Sequence, residues 1–314
     1  MMDAASSRAL PEAGAAGGAR CGIVAVVGRA NVGKSSLVNR ILGEKVAIVS
    51  GVAQTTRNLI RGVLSDSPGI HRARGNLGKL LNKKARGALD GADVILLVLD
   101  RSISPKPEDD GWMRRALHAD VPVRIVLNKC DLAENHADAY RRRWQALRAA
   151  REQPPDTAAA GARPEPEWMS ISAAEGIGVD TLVGRLFAAV PVGPPLFGED
   201  LLSDYPRKLA MADCIREKLF LHLRDELPHQ VAVRVESIDE SGETWVVRAL
   251  VYVNKPSQKP IVLGRKGRTL RAVRRAAAAE IADMYDCKVT LELWVKVEKN
   301  WIDNFFLLRQ MDVA

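Results

Sequence analysis

Gly28-Arg29-Ala30-Asn31-Val32-Gly33-Lys34-Ser35, GRANVGKS over residues 28–35, is a full-length match to G-x-x-x-x-G-K-S. The run before it, GIVAVVG (22–28), is short, β-branched and closed by Gly, the pattern of a buried strand. The run after it, SSLVNRILG (35–43), has helical spacing and again a closing Gly. Strand, Gly-rich turn and helix in that order make a phosphate loop. Backbone N–H groups and the helix N-terminus cradle negative charge, and glycines let the backbone come close. Gly28, Asn31, Val32, Gly33, Lys34, Ser35 and Ser36 are the candidate contacts. Lys34 would reach the β- and γ-phosphates, and the Ser35 hydroxyl would ligate Mg²⁺.

The same alternation runs outward. ADVILLVLD (92–100), VPVRIVLNKCD (121–131) and PEWMSISA (166–173) read as further buried strands. Helical patterns lie around 77–90, 107–118, 136–150 and 178–189. Alternating strands and helices imply an α/β domain with a mostly parallel sheet covered on both faces. The segment REQPPDTAAAGARPEPE (151–167) interrupts the order and reads as a mobile surface loop.

Asn128-Lys129-Cys130-Asp131 follows a buried strand and fits N-K-x-D, which reads guanine. The Asp131 carboxylate would accept two hydrogen bonds from the base, from N1–H and the exocyclic amine. Adenine offers no such pair, so a buried carboxylate would be left unmatched. Ser172-Ala173-Ala174 fits a third guanine-loop element, whose backbone N–H meets the base O6, or is a plain strand-end turn. Between these motifs lie two candidate switches. VSGVAQTTRN (49–58) is polar, and Thr55 or Thr56 could close on Mg²⁺. Asp66-Ser67-Pro68-Gly69 is a D-x-x-G: Asp66 would hold Mg²⁺ through water, and the Gly69 N–H would meet the γ-phosphate. Lys34, Asp66 and Gly69 form the candidate catalytic set. Ile70 follows, where many small GTPases carry a Gln that orients the attacking water; an Ile cannot. Slow unaided hydrolysis is expected, or water positioned by another group, a K⁺ ion or a partner.

After the Pro/Gly hinge VPVGPPLFGED (190–200) the pattern changes. An amphipathic helix over about 206–226 leads to QVAVRVESI and TWVVRALVYV, strand-like runs around a Ser-Gly turn. A short apolar piece, PIVLG, then GRKG, a long helix RTLRAVRRAAAAEIADMYD and a last strand KVTLELWVKV complete a small α+β domain. From Lys255 to Arg275 there are eight basic residues and no acidic one, a run that favours nucleic acid. Gly264-Arg265-Lys266-Gly267 is a G-x-x-G inside that run. KH domains clamp about four nucleotides with such a loop. Arg265 and Lys266 would meet phosphates. Arg268, Arg271 and Arg275 extend the phosphate-facing side or form a solvated helix face.

The chain of 314 residues is long enough for two domains, with 47% hydrophobic residues and a net charge of +8. The charge favours an acidic partner. No apolar run approaches the ~18 residues of a membrane-spanning helix. Residues 1–20 are Ala- and Gly-rich, lack a basic region followed by an apolar core, and read as a disordered tail rather than a secretory signal. Four scattered cysteines, with no C-x-x-C pair, fit a reducing cytoplasmic compartment. The expected domains are 21–191 and 206–308, with 192–205 as linker.

GRANVGKSSLVNRILGEKVAIVSGVAQTTRN, DSPGIH, NKCD and SAAEGIGVDTL resemble the GTPase domain of the Era family. IREKLFLHLRDELPHQVAVRVE, IVLGRKGRTLRAV and LELWVKV resemble its type II KH domain. The likeness covers roughly residues 21 to 308. It implies a P-loop GTPase domain followed by a smaller KH domain, GTP or GDP with Mg²⁺ as ligands, and contact with 16S rRNA near its 3′ end. It also implies a role in small-subunit assembly, a cytoplasmic location with partial association with the inner membrane, and a monomer.

Two departures stand out. Ala30 replaces a Pro that the family usually carries. Between RGVL and DSPG the chain is roughly ten residues shorter than the family pattern, about one strand and a turn. The strand before Asp66 is expected at the centre of the sheet. So either NLIRGVL (58–64) replaces a hairpin there, or the first switch is displaced. Three readings follow: an active GTPase, an RNA-binding assembly factor whose first domain binds nucleotide without hydrolysing it, or a tRNA-modifying GTPase. The KH-like half argues against the third.

Overall fold

The computed structural model describes residues 20–43, 64–66, 91–151, 165–193, 205–224 and 227–311. The expected switch residues Thr55, Thr56, Ser67, Pro68, Gly69 and Ile70 lie outside them, as do residues 1–19, the helical pattern at 77–90, 58–63, 152–164 and 194–204.

The first described unit is a parallel sheet of β1 (Val24–Val27), β2 (Leu64–Asp66), β3 (Val94–Asp100), β4 (Val123–Asn128) and β5 (Glu167–Ser170), in the order β2-β1-β3-β4-β5. Its helices are α1 (Lys34–Leu42), α2 (Pro107–His118), α3 (Ala137–Arg151) and α4 (Val179–Ala189). Side chains alternate across each strand, and both faces are buried, which explains the continuous apolar runs. Val24, Val26, Leu96 and Val98 pack with Leu37 of α1 and with Leu182 and Leu186 of α4. Ala25, Val27, Leu97 and Leu99 pack on the other face with Trp112 and Met113 of α2 and with Tyr140 and Trp144 of α3.

The structure revises the expectation for the strand before Asp66. A strand is present over Leu64–Asp66; residues 58–63 lie outside the described residues. It pairs parallel with β1, Val26 opposite Asp66, and among the described residues it forms the edge of the sheet rather than its centre. This pairing brings Asp66 to the same end of the sheet as the phosphate loop, because β1 also ends there. Arg20, read as part of the tail, bridges to Val192, and its guanidinium donates to the Val190 carbonyl at 2.8 Å.

The second unit places α5 (Arg207–His222), α6 (Lys259–Leu263) and α7 (Arg268–Met284) with a sheet of β6 (Val231–Asp239), β7 (Thr244–Val253) and β8 (Lys288–Val297). β6 and β7 are antiparallel, with a bulge between Val235 and Ser237; β7 and β8 are parallel. A parallel neighbour demands a crossover, and α6, the G-x-x-G loop and α7 supply it. Val231, Val233, Val251, Leu291 and Leu293 face Ile215 and Leu219 of α5 and Val273 and Ile281 of α7. Ala232 and Tyr252 on the opposite face are covered by Trp301, Leu307 and Leu308, the last two from α8 (Phe305–Gln310). The apolar piece PIVL is a short helix, with Pro260 in its first turn, where a missing N–H costs nothing. Helix α5 stops at His222, four residues before the expected end, where Leu223 turns extended (φ −100°, ψ 154°).

Candidate nucleotide site and RNA interface

The phosphate loop lies between the C-terminal end of β1 and the start of α1. Gly33 adopts φ 95°, in the region that favours glycine, and a Cβ there would lie 2.3 Å from Asn128 Nδ2. Any larger residue would collide with Asn128. Lys34 is buried, and its Nζ donates to the Arg29 carbonyl at 3.1 Å, so the ammonium is already folded into the loop it serves. Ser35 stands in the first turn of α1. Asp66 ends β2 at the same edge of the sheet. A hydroxyl and a carboxylate are hard oxygen donors, the kind Mg²⁺ takes, and these two residues would hold it.

Asn128 ties three motifs together. Its Nδ2 donates to the Val32 carbonyl at 2.8 Å, and its Oδ1 accepts from the Ala173 N–H at 2.9 Å. Each end of the side-chain amide makes a hydrogen bond to protein, so Asn128 braces the phosphate loop against the Ser172–Ala174 turn. Lys129 takes a left-handed φ of 65°, and its Nζ meets Asp100 Oδ2 at 2.6 Å. Asp100 in turn accepts from the Ser102 N–H at 3.0 Å and the Ser102 hydroxyl at 2.5 Å. Asp131 is exposed, open to a base. Ser172 is fully buried, and its Oγ accepts from the Glu175 N–H at 3.1 Å, which closes the turn. Asn128→Ala leaves the Val32 carbonyl and the Ala173 N–H buried without partners. The expected result is a loss of guanine-nucleotide affinity on the order of 100-fold, read by displacement of a fluorescent GDP.

Sequence reasoning missed Asp100, the partner of Lys129; the signal available was an acidic residue closing the apolar run ADVILLVLD. It also missed the support behind Arg29. The Arg29 guanidinium meets Asp109 Oδ1 at 3.3 Å, while Asp109 Oδ2 accepts from the Lys106 N–H at 2.9 Å and the Tyr140 hydroxyl at 3.3 Å. Burial pushes the Asp109 carboxyl above the ordinary range, opposed by the Lys106 N–H, the Arg29 charge and the Tyr140 hydroxyl. Burial, and next to it the Asp109 charge, pushes the Tyr140 phenol up.

In the second unit the G-x-x-G joins α6 to α7. Gly264 has φ 73° and ψ 169°, and a Cβ there would lie 2.2 Å from Thr269 Oγ1 and 2.9 Å from the Thr269 nitrogen. Lys266 is left-handed, φ 51°. The Gly267 N–H donates to the Gly264 carbonyl at 2.9 Å, making a tight turn that presents its side chains outward. Arg265, Lys266, Arg268, Arg271 and Arg275 are all exposed, with Lys255, Lys259 and Arg274 beside them.

A nucleotide-binding α/β domain with P-loop and N-K-x-D, followed by an α+β domain with a basic G-x-x-G, defines an RNA-directed P-loop GTPase. Residues 23–129 match the family described as 50S ribosome-binding GTPase, and residues 226–302 match the KH domain family. Over 301 residues the chain is 38% identical to GTPase Era of Geotalea uraniireducens, covering 93% of this chain and 97% of that protein. To GTPase Era of Geobacter metallireducens it is 37% identical over 308 residues, covering 93% and 97%. Among solved structures it resembles Aquifex aeolicus Era bound to GDP·AlF4⁻, with TM-score 0.80 and 30% identity over 94% of this chain and 99% of that one. It also resembles Era in complex with MgGDPNP and nucleotides 1506–1542 of 16S ribosomal RNA, with TM-score 0.81, 31% identity and the same coverage. The chain belongs to the Era family of GTPases.

Proposed function

We propose that the chain hydrolyses GTP slowly, with Mg²⁺, and uses the cycle to control binding of 16S rRNA near its 3′ end during small-subunit assembly. The observation that carries the RNA half is the state of the cations around Gly264–Gly267. Among the described residues none of the eight from Lys255 to Arg275 forms an ion pair. Arginines of α3 do: Arg143 with Asp110, and Arg148 with Glu165. Unpaired exposed cations on one loop and one helix face are what a phosphate backbone neutralises. The related Era complex with a 16S rRNA fragment supports the same reading.

The proposed nucleotide contacts are Gly28, Asn31, Val32, Gly33, Lys34, Ser35, Ser36, Asp66 to Ile70, Asp131, Ser172 and Ala173, with Asn128 and Lys129 shaping the pocket. Lys34 holds the β- and γ-phosphates and Asp131 selects the base. Mg²⁺, when bound, neutralises charge between those phosphates. Ser35, Asp66 through water and one of Thr55 or Thr56 would supply its oxygens, and the Gly69 N–H would meet the γ-phosphate. With Ile70 unable to orient water, a K⁺ ion or the RNA partner is proposed to assist. The proposal extends to a monomer in the cytoplasm with peripheral contact at the inner membrane. A second reading, nucleotide binding without hydrolysis, is favoured by the short segment before Asp66.

The test is fluorescence anisotropy of a labelled 16S rRNA 3′ fragment with the protein in GDP and in a non-hydrolysable GTP analogue. Binding stronger than to a scrambled RNA, and different between the nucleotide states, is expected. Equal binding to both RNAs in both states would overturn the reading.

A further inference from the structure

Arg40 lies in the last turn of α1, the helix that starts at the phosphate loop. No nucleotide motif includes it. Yet its Nε donates to the Ala173 carbonyl at 3.1 Å, and its Nη2 donates to the Ala174 carbonyl. The guanidinium therefore grips two consecutive carbonyls of the Ser172–Ala174 turn, 133 residues further along the chain. A planar fork with fixed donors suits such a grip.

The grip has a geometric consequence. In a trans peptide the C=O of one residue and the N–H of the next point in opposite directions. With the Ala173 carbonyl turned to Arg40, the Ala174 N–H points away from it. With the Ala174 carbonyl turned to Arg40, the Glu175 N–H points away, and it is found on Ser172 Oγ at 3.1 Å. The Ala173 N–H is held by Asn128 Oδ1. Arg40 and Asn128 thus both hold the turn and fix the directions of its N–H groups.

We infer that Arg40 is a positioning residue for base selection: it orients the Ser172–Ala174 turn so that a backbone N–H faces the 6-oxo group of guanine. This rests on the reading of Ser172–Ala174 as the guanine loop. Arg40 touches neither base nor phosphate. It acts through the turn, so its loss should blunt discrimination at the 6-position and spare discrimination at the exocyclic amine, which belongs to Asp131.

Three nucleotides separate these contributions. 6-Thio-GDP keeps N1–H and the amine and changes only the acceptor at position 6. IDP keeps the 6-oxo group and lacks the amine. Affinities of GDP, 6-thio-GDP and IDP would be measured by displacement of a fluorescent GDP from the full chain, for the parent, Arg40→Ala and Arg40→Lys. The parent is expected to prefer GDP to 6-thio-GDP. Arg40→Ala is expected to lower GDP affinity about tenfold, one hydrogen bond's worth, and to erase most of that preference while the preference for GDP over IDP stays. Arg40→Lys, which can still donate to one carbonyl, should fall between. A uniform weakening of all three nucleotides by Arg40→Ala, or no change, would overturn the inference and leave the guanine-loop reading intact. A parent that binds GDP and 6-thio-GDP equally would overturn that reading and the inference with it.

Discussion

Replacing Arg265 with Glu and Lys266 with Asp lowers the affinity for a 16S rRNA 3′ fragment by at least about 25-fold at 0.1 M salt. The figure follows from counterion release: a single strand gives up about 0.7 of a counterion per phosphate neutralised, and two contacts are lost. The slope of log affinity against log salt should become shallower by about 1.4 for the same reason. Repulsion from the new carboxylates adds to the loss. Asp is chosen at position 266 because Lys266 sits at φ 51°, a region Asp enters more readily than Glu. Both side chains are exposed, and neither belongs to the packed core of the second domain, so melting should be unchanged. Anisotropy titrations at several salt concentrations read both quantities. A loss of affinity with an unchanged slope would mean that these residues do not meet phosphates.

Replacing Lys34 with Ala lowers GTP turnover by about 10²–10³-fold, the usual cost of deleting one preorganised charge from a site of developing negative charge. The structure makes the loss specific. Lys34 Nζ rests on the Arg29 carbonyl, inside the loop whose N–H groups cradle phosphate. Arg29 is itself held to Asp109, so the loop stays in place without the ammonium. Nucleotide binding should weaken as well, while base selectivity, proposed to rest on Asp131 and the Ser172–Ala174 turn, should survive. Single-turnover hydrolysis and competition between GDP and ADP would read the two effects separately. Equal turnover in parent and variant would remove Lys34 from the chemistry.

Much of this was legible in the sequence because it is local. A phosphate loop needs its glycines, lysine and serine within eight consecutive residues, and the strand and helix that hold it are its immediate neighbours. The G-x-x-G and its cations are equally contiguous. What was not legible depends on residues distant in the chain. Asn128 was legible as part of N-K-x-D, but not its hydrogen bonds to Val32 and Ala173, 96 and 45 residues away. Asp100, Asp109 and Arg40 support the site from outside every motif, and nothing in their local sequence names a partner. Before Asp66 the shortened segment left two expectations, NLIRGVL in place of a hairpin or a displaced first switch. Three residues beside β1 keep Asp66 at the working end of the sheet.

The most direct measurement is GTP hydrolysis by the purified chain beside Lys34→Ala, each with and without the 16S rRNA 3′ fragment. The account predicts turnover above that of the variant, slow without RNA. No turnover under any of these conditions, with guanine nucleotide still bound, would contradict it and leave an RNA-binding protein whose first domain holds nucleotide without hydrolysing it.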